Sequence, residues 1–482
     1  MADDYKASST NTKINRGPLM LVLISGAFAA ILNQTLLATA LPHIMKDLDL
    51  DASTAQWLTS IFMLVNGIMI PITAFLIERF TTRFLFLSAM GLFGAGTIIC
   101  AIAPNFGVLM VGRVVQASGA GIIMPLMQTI LMLVYPIEKR GAAMGMFGLV
   151  ISFAPAIGPT LSGWLVEQFP WRSLFYVILP VVIIDFIVAY FILKNVTKRT
   201  FPKVDILSIL LSSIGFGGLL YGFSTAGSAG WGDEQVIISM AAGAVALTIF
   251  ILRQFKLAQP ILEFRVFQNK VFTLTTVLGM VVFIALIGGA TILPIFMQNM
   301  LGFTAFESGL MLLPGALIMG FMNPITGRLF DKFGARWLAI SGLVILSVTT
   351  FMFTNLTSET TFFYLAVVNA VRMLGVAMVM MPVTTAGLNT LTEKRIPHGT
   401  AMNNTMRQVS GAVGTAMLVT VMTNSARPTE GVSGMIHGVN VSFVVAGITA
   451  VVALILAFFI KPKRQMEETA RPSRNKQAAA SR

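Results

Sequence analysis

GRLFDKFGAR, residues 327–336, decides the fold, because the chain carries an altered copy of it, AFLIERFTTR, at 74–83. The last arginines of the two copies, Arg83 and Arg336, are 253 positions apart, as are Pro71 and Pro324 just upstream. Pro42 in ALPHIM (40–45) and Pro294 in ILPIFM (292–297) are 252 apart, and EKRGAAM from Glu138 and EKRIPHGTAM from Glu393 are 255 apart. Landmarks that keep nearly one offset point to an internal duplication. The chain therefore reads as two six-helix halves, 18–200 and 271–460, separated by two inserted spans and a linker at 201–270. A cytoplasmic N-tail (1–17) and a basic cytoplasmic C-tail (461–482) complete the expected organisation.

Composition says why these halves are helical. Of 482 residues, 56% are hydrophobic and 11% charged, with a mean hydropathy of +0.82. A soluble chain of this size cannot hide that much apolar surface, so the surrounding solvent is lipid. A span needs roughly 20 apolar residues. Such runs lie near 18–41, 55–77, 85–103, 107–134, 142–166, 174–193, 205–225, 235–252, 271–297, 306–326, 337–354, 361–391, 400–424 and 440–460, fourteen in all. They are continuous rather than alternating, which favours helices over a closed barrel. The first is too long for a secretory h-region and reads as a signal anchor.

An even number of spans puts both termini on one side, and Lys and Arg choose that side. With the N-terminus in the cytoplasm, 27 of the 33 basic residues fall on the cytoplasmic face. Lys46, Arg172 and Arg427 fall opposite, and Arg113, Arg372 and Arg407 lie within or at the edge of spans. The net charge of +13 is thus positive-inside topology, and nucleic acid is not an expected partner. The single cysteine, Cys100, excludes an internal disulfide, and His43, His398 and His437 form no metal-ligand cluster, so no metal or cofactor is expected. No Walker sequence suggests ATP as the driver, and no nucleophile–base constellation suggests an enzyme.

The motifs resemble those of the major facilitator transporters. GRLFDKFGAR looks like their signature loop. That resemblance implies a cytoplasmic gate made of Asp331, Lys332 and Arg336 and, in the degenerate copy, Glu78, Arg79 and Arg83. In the family this acid faces a neighbouring helix N-terminus, where a carboxylate gains about 0.3–1 kcal/mol. GRVVQASGAG (112–121) resembles the family's intramembrane arginine motif and marks Arg113, with Gln116 and Ala120 on the same helix face. Arg372 stands in the matching place of the second half, as a functional group or a structural anchor. APAIGPTLSGW (154–164) resembles the antiporter signature, in Pro155, Gly158, Pro159 and Gly163, with Ala154 and Ser162 replacing two glycines. LNQTLLATALPHI (32–44) resembles the first-span motif of fourteen-span multidrug exporters. The whole chain is similar to that drug:proton antiporter family, and most closely to its lincomycin-efflux type in Gram-positive bacteria.

Where that first-span motif usually has an aspartate before its threonine, this chain has Asn33-Gln34-Thr35. Gly26, Ala30, Asn33 and Leu37 make a small or polar stripe at helical spacing. Asn33, Gln34, Asn66 and Gln116 are the expected cavity lining, or else interhelical hydrogen-bond partners. Proton coupling then needs another acid. Asp185 lies deep in the sixth span and Glu307 opens the tenth, and Arg113 is the third residue expected to serve proton coupling. A polar but uncharged lining suits neutral, zwitterionic or anionic amphipathic compounds. The expectation is an all-α, fourteen-span, proton-coupled multidrug exporter in the bacterial cytoplasmic membrane. Its partners are the lipid bilayer, protons and a small drug-like substrate, with no obligate protein partner. Two alternatives stay open, an exporter of an endogenous metabolite or signalling molecule and a receptor or regulator on a transporter scaffold.

Overall fold

The structure, a computed structural model, describes residues 16–197 and 199–460. The expected C-tail, nearly all of the expected N-tail, and Lys198 of the basic-residue count lie outside the described residues. Among the described residues there are fourteen long helices and no strands. They are α1 (Arg16–Leu48), α2 (Ala52–Arg79), α3 (Thr82–Ala101), α4 (Phe106–Val134), α5 (Arg140–Gln168), α6 (Ser173–Ile192), α7 (Ile206–Ala229), α8 (Glu234–Lys256), α9 (Lys270–Asn299), α10 (Ala305–Phe333), α11 (Ala335–Met352), α12 (Phe362–Asn389), α13 (Ile396–Ser425) and α14 (Gly431–Ala457).

Thirteen of these are apolar and long enough to cross a membrane. The other, α13, has 30 residues but too many polar ones. Thr400, Asn403, Asn404, Thr405, Arg407 and Ser410 are nonetheless buried, because α13 turns them towards neighbouring helices. The opposite case is α6 and α8, whose Ile184, Ile187, Ile237 and Ile249 are exposed. A large apolar surface left in the open on a helix of this length is a lipid-facing one.

The helices extend past the expected spans. GRLFDKFGAR reads as a loop, yet residues 327–333 are the last two turns of α10, which ends only where Gly334 adopts φ +82°. That left-handed conformation is open to glycine at little steric cost. The first copy is likewise helical through Arg79.

The first six helices pack mainly among themselves through α3–α4, α2–α4, α1–α5 and α1–α6, and the last six through α10–α12, α11–α12, α9–α13 and α11–α14. Two seams join the sets. On one, α5 lies directly along α10, with small residues opposed. A Cβ on Gly145 would lie 2.5 Å from the Asn323 carbonyl oxygen, so the backbones touch. On the other, α2 meets α13 and α7 packs against both. α7 and α8 form a tight pair through facing Gly218 and Gly243. Near its far end, α7 stacks Tyr221 on Trp57 of α2, with centroids 5.7 Å apart, and just past that end Trp231 Nε1 donates to Thr420 Oγ1 of α13 at 2.7 Å.

Candidate functional site

The hydrogen bonds named here between the two sets of six helices share one side of the bundle, that of the α2–α3, α4–α5, α10–α11 and α12–α13 connections. Asp331, at the end of α10, accepts from the backbone N–H groups of Gly141 (Oδ1, 2.7 Å) and Ala142 (Oδ2, 2.8 Å). These are first-turn donors of α5 that have no partner within their own helix, so one carboxylate satisfies two of them and meets the positive end of the helix dipole. Gly141 is what lets α10 come so near, since a Cβ there would sit 2.5 Å from Asp331 Oδ1. Arg140 Nη1 donates to Asn389 Oδ1 at 3.0 Å. Deeper in, Thr129 and Thr400 share a hydrogen bond at 2.6 Å, Asn404 Nδ2 donates to Gln128 Oε1 at 2.6 Å, and Asn323 Nδ2 donates to Ser152 Oγ at 3.0 Å.

The second copy of the signature is arranged differently. Glu78 Oε1 faces His398 Nε2 of α13 at 3.1 Å. Arg79 Nη1 donates to the Pro202 carbonyl at 2.8 Å, and the Arg83 guanidinium lies 4.6 Å above the Tyr190 ring. Lys332 is exposed and lies against Phe333, while Arg336 is half-buried. Of the six residues expected at the gate, Asp331 and Glu78 thus make side-chain contacts across the seams. Arg79, Arg83 and Lys332 instead meet Pro202, Tyr190 and Phe333.

Inside the first set, Arg113 is fully buried. Its Nε donates to the Leu58 carbonyl at 3.1 Å and its Nη1 to Asn33 Oδ1 (2.9 Å) and Gln116 Oε1 (2.7 Å), while the guanidinium lies 4.2 Å over Phe62. Gln116 passes the network on to Thr97 Oγ1 at 2.8 Å. Asn33 and Gln116 are therefore engaged by the arginine and buried, rather than open to a cavity. Gln34 and Asn66 are half-buried, and Asn66 Oδ1 has no partner. Arg372 is equally buried in the second set, bonded to the Ala285 carbonyl and to Thr350 Oγ1.

Asp185 is buried between α6, α1 and α3, where it accepts a hydrogen bond from Ser25 Oγ. Ser25 precedes Asn33 by two turns of α1, about 12 Å at 1.5 Å per residue, so Asp185 lies well away from the Arg113 network. Glu307 sits elsewhere than a deep proton site would. It is the third residue of α10 and closes a capping box with Thr304, accepting from its backbone N–H at 2.8 Å. In the antiporter signature, Gly158 gives way to Thr35 of α1 and Ser162 Oγ donates to the Leu36 carbonyl at 2.6 Å. Pro155 and Pro159 turn outward, and nothing lies within 4 Å of the position a Cβ on Gly163 would take. Sequence reasoning passed over His398, Ser25 and the Gln128–Asn404 pair. A signal for His398 was present, since EKRIPHGTAM holds three more residues than EKRGAAM and His398 lies in that insertion.

Two related sets of six helices meeting around a polar, sparsely ionised interior make a secondary-transporter architecture. The chain belongs to the Major Facilitator Superfamily, whose profile matches residues 23–415. It is 58% identical to YcnB, an uncharacterized MFS-type transporter of Bacillus subtilis, over 94% of this chain and 97% of that protein. It is 42% identical to the lincomycin resistance protein LmrB of the same organism, over 92% of this chain and 95% of that one. The crystal structure of the human organic anion transporter MFSD10 superposes with a TM-score of 0.67 at 13% identity, covering 91% of this chain and 99% of that one, which shows the shared fold. The chain is thus a multi-pass transporter of the cell membrane and not an enzyme.

Proposed function

We propose that this transporter is a proton-coupled exporter of neutral, zwitterionic or anionic amphipathic compounds, working by alternating access with both termini in the cytoplasm. One observation carries the reading. Among the described residues the buried Asp, Glu, Lys and Arg side chains are Arg113, Arg372, Arg407 and a single carboxylate, Asp185. Each arginine keeps a buried nitrogen without a partner, namely Nη2 of Arg113, Nη1 of Arg372, and Nε and Nη1 of Arg407. An interior with three guanidiniums and one acid repels organic cations and accepts acceptor-rich or anionic groups. Asp185 is the proton carrier in this scheme. An isolated charge at membrane depth costs roughly 2.5–3.5 kcal/mol on insertion scales, and protonation removes much of that cost. Gln34 and Asn66 offer polar lining, with Asn33 and Gln116 held behind it by Arg113. The signature side, where positive-inside charge counting puts the cytoplasm, is closed. The name of the LmrB relative, a lincomycin resistance protein, fits the export direction.

The test uses inverted membrane vesicles, an acid interior and labelled chloramphenicol, an uncharged amphipathic compound that a pH difference alone does not trap. Wild type concentrates the label, and Asp185→Asn does not, although it still exchanges internal for external compound. Uphill accumulation by the Asp185→Asn protein would remove Asp185 as the carrier, and no pH-driven accumulation by wild type would remove proton-coupled export of this compound.

A further inference from the structure

The two seams solve one problem with different chemistry. On the α5–α10 seam, Asp331 takes the N–H groups of the second and third residues of α5. On the α2–α13 seam, the second residue of α13 is Pro397, which has no N–H to give. Glu78 occupies the place of Asp331 and is one methylene longer. Its carboxylate meets the ring of His398, the third residue of α13, at 3.1 Å, and His398 is only 5% exposed. The other ring nitrogen, Nδ1, accepts from the backbone N–H of Glu263 at 3.2 Å. A nitrogen that accepts carries no proton, so the ring proton is on Nε2 and points at Glu78.

Glu263 belongs to the connector between α8 and α9. Ile261, Leu262 and Val266 of the same connector are buried, so it is docked against the bundle rather than hanging free. The connector on the other side of the inserted pair is anchored beside the same acid, for Thr200 N donates to the Glu78 carbonyl at 3.0 Å and Arg79 Nη1 to that of Pro202. Both connectors of α7–α8 therefore end at the Glu78–His398 contact, one on each side of the seam.

We propose that His398 is the positioning residue of a second latch. Its Nε2–H supplies the hydrogen bond that Pro397 withholds, and its Nδ1 ties the latch to the inserted helix pair. This rests on the alternating-access reading, in which this side of the bundle opens. Separating α2 from α13 then requires release of Glu78 from the ring that also holds the α8–α9 connector.

The experiment follows opening without any cargo or proton gradient. Thr129→Cys in a Cys100→Ser background places a thiol deep in the closed seam, and its maleimide labelling rate reports how often that side opens. Asp331→Asn is the reference for an opened latch. Losing one hydrogen bond to a carboxylate shifts such an equilibrium roughly ten- to hundredfold. His398→Ala is expected to raise labelling by that factor, and His398→Gln, which keeps both a donor and an acceptor, to hold it near the parent rate. Adding Pro397→Ala to His398→Ala restores a backbone donor and is expected to lower labelling again. Elution as a monodisperse peak in detergent, with an unchanged melting midpoint for His398→Gln, separates gating from misfolding. Parent-like labelling of His398→Ala while Asp331→Asn opens the seam overturns the latch, as does a Gln variant no better than Ala. If neither variant changes labelling, the latch falls together with the reading that this side opens. Failure of pH-driven accumulation alone leaves these rates, and the latch, unaffected.

Discussion

Asn33 of α1 and Arg113 of α4 are joined by a 2.9 Å hydrogen bond in a site from which both are almost wholly excluded from solvent. The neutral amide satisfies one arginine nitrogen without cancelling its charge. Asn33→Asp introduces a carboxylate within reach of the guanidinium. Partner and position are already in place, so the variant is expected to fold and to gain a buried ion pair. The interior then loses its unmatched positive charge at this point. Transport of anionic compounds is expected to fall and that of organic cations to rise, read as a changed resistance profile in cells expressing equal amounts of each protein. An unchanged profile would show that Arg113 does not act on the cargo.

Asp331 holds two backbone donors of α5, and Asp331→Asn keeps an acceptor for one of them only. The charge-assisted part of the capping interaction is lost, about 1–2 kcal/mol, or a factor of about 5–30 in the balance between closed and open. Export is expected to drop while the amount of protein in the membrane stays level. Normal export rates at matched expression would mean that the latch does not limit transport.

The duplication is why the fold could be read from sequence. Pro42 and Pro294, and Arg83 and Arg336, repeat at nearly one spacing, and lipid demands unbroken apolar runs that composition alone reveals. Helix ends were less legible, because GRLFDKF is polar enough for a loop and only the φ of Gly334 shows where α10 stops. The partners of the site were least legible. Ser25 and Asp185 are 160 residues apart, Gln128 and Asn404 276, and Glu78 and His398 320. Periodicity gives the face on which a side chain lies but not the helix that face meets. Asn33 could be assigned to a polar stripe from its spacing, whereas its engagement by Arg113 depends on how α1 crosses α4.

Gly26 provides the room in which Asp185 sits. A Cβ there would lie 2.9 Å from Asp185 Oδ2, 3.1 Å from the Phe86 ring and 3.2 Å from Met90 Sδ. Gly26→Ala therefore presses on the carboxylate, and overpacking of this kind costs about 1–3 kcal/mol. A lower melting midpoint in detergent is expected, together with slower pH-driven accumulation. Because the clash is with the Asp185 side chain, Gly26→Ala combined with Asp185→Ala is expected to be less destabilised than the sum of the two single changes. Strict additivity would place the strain in Phe86 or Met90 instead.

At the end of α1 remote from the latch, Asp47 Oδ2 accepts from Trp171 Nε1 at 2.8 Å and Arg172 Nη1 at 2.9 Å, and Arg172 Nη2 reaches the Ala103 carbonyl at 2.8 Å. Three connections are thus fastened at one point outside the membrane span. The hydrogen bond from Trp171 first, and then the one from Arg172, holds the Asp47 carboxyl below its usual range. A carboxyl whose value is lower folded than unfolded stabilises the fold fully above the unfolded value, about 3.9. That contribution fades as pH falls through the lower, folded value. Half the side chain is open to solvent, so the gain is that of a screened surface pair, about 0–1 kcal/mol. Asp47→Asn is expected to lower the melting midpoint slightly and by a constant amount from pH 7 down to about pH 5. Below about pH 4 the two curves should converge, because the wild-type carboxyl is then being neutralised as well. A gap that stays constant to pH 3, or widens there, would mean that Asp47 contributes through packing rather than through its charge.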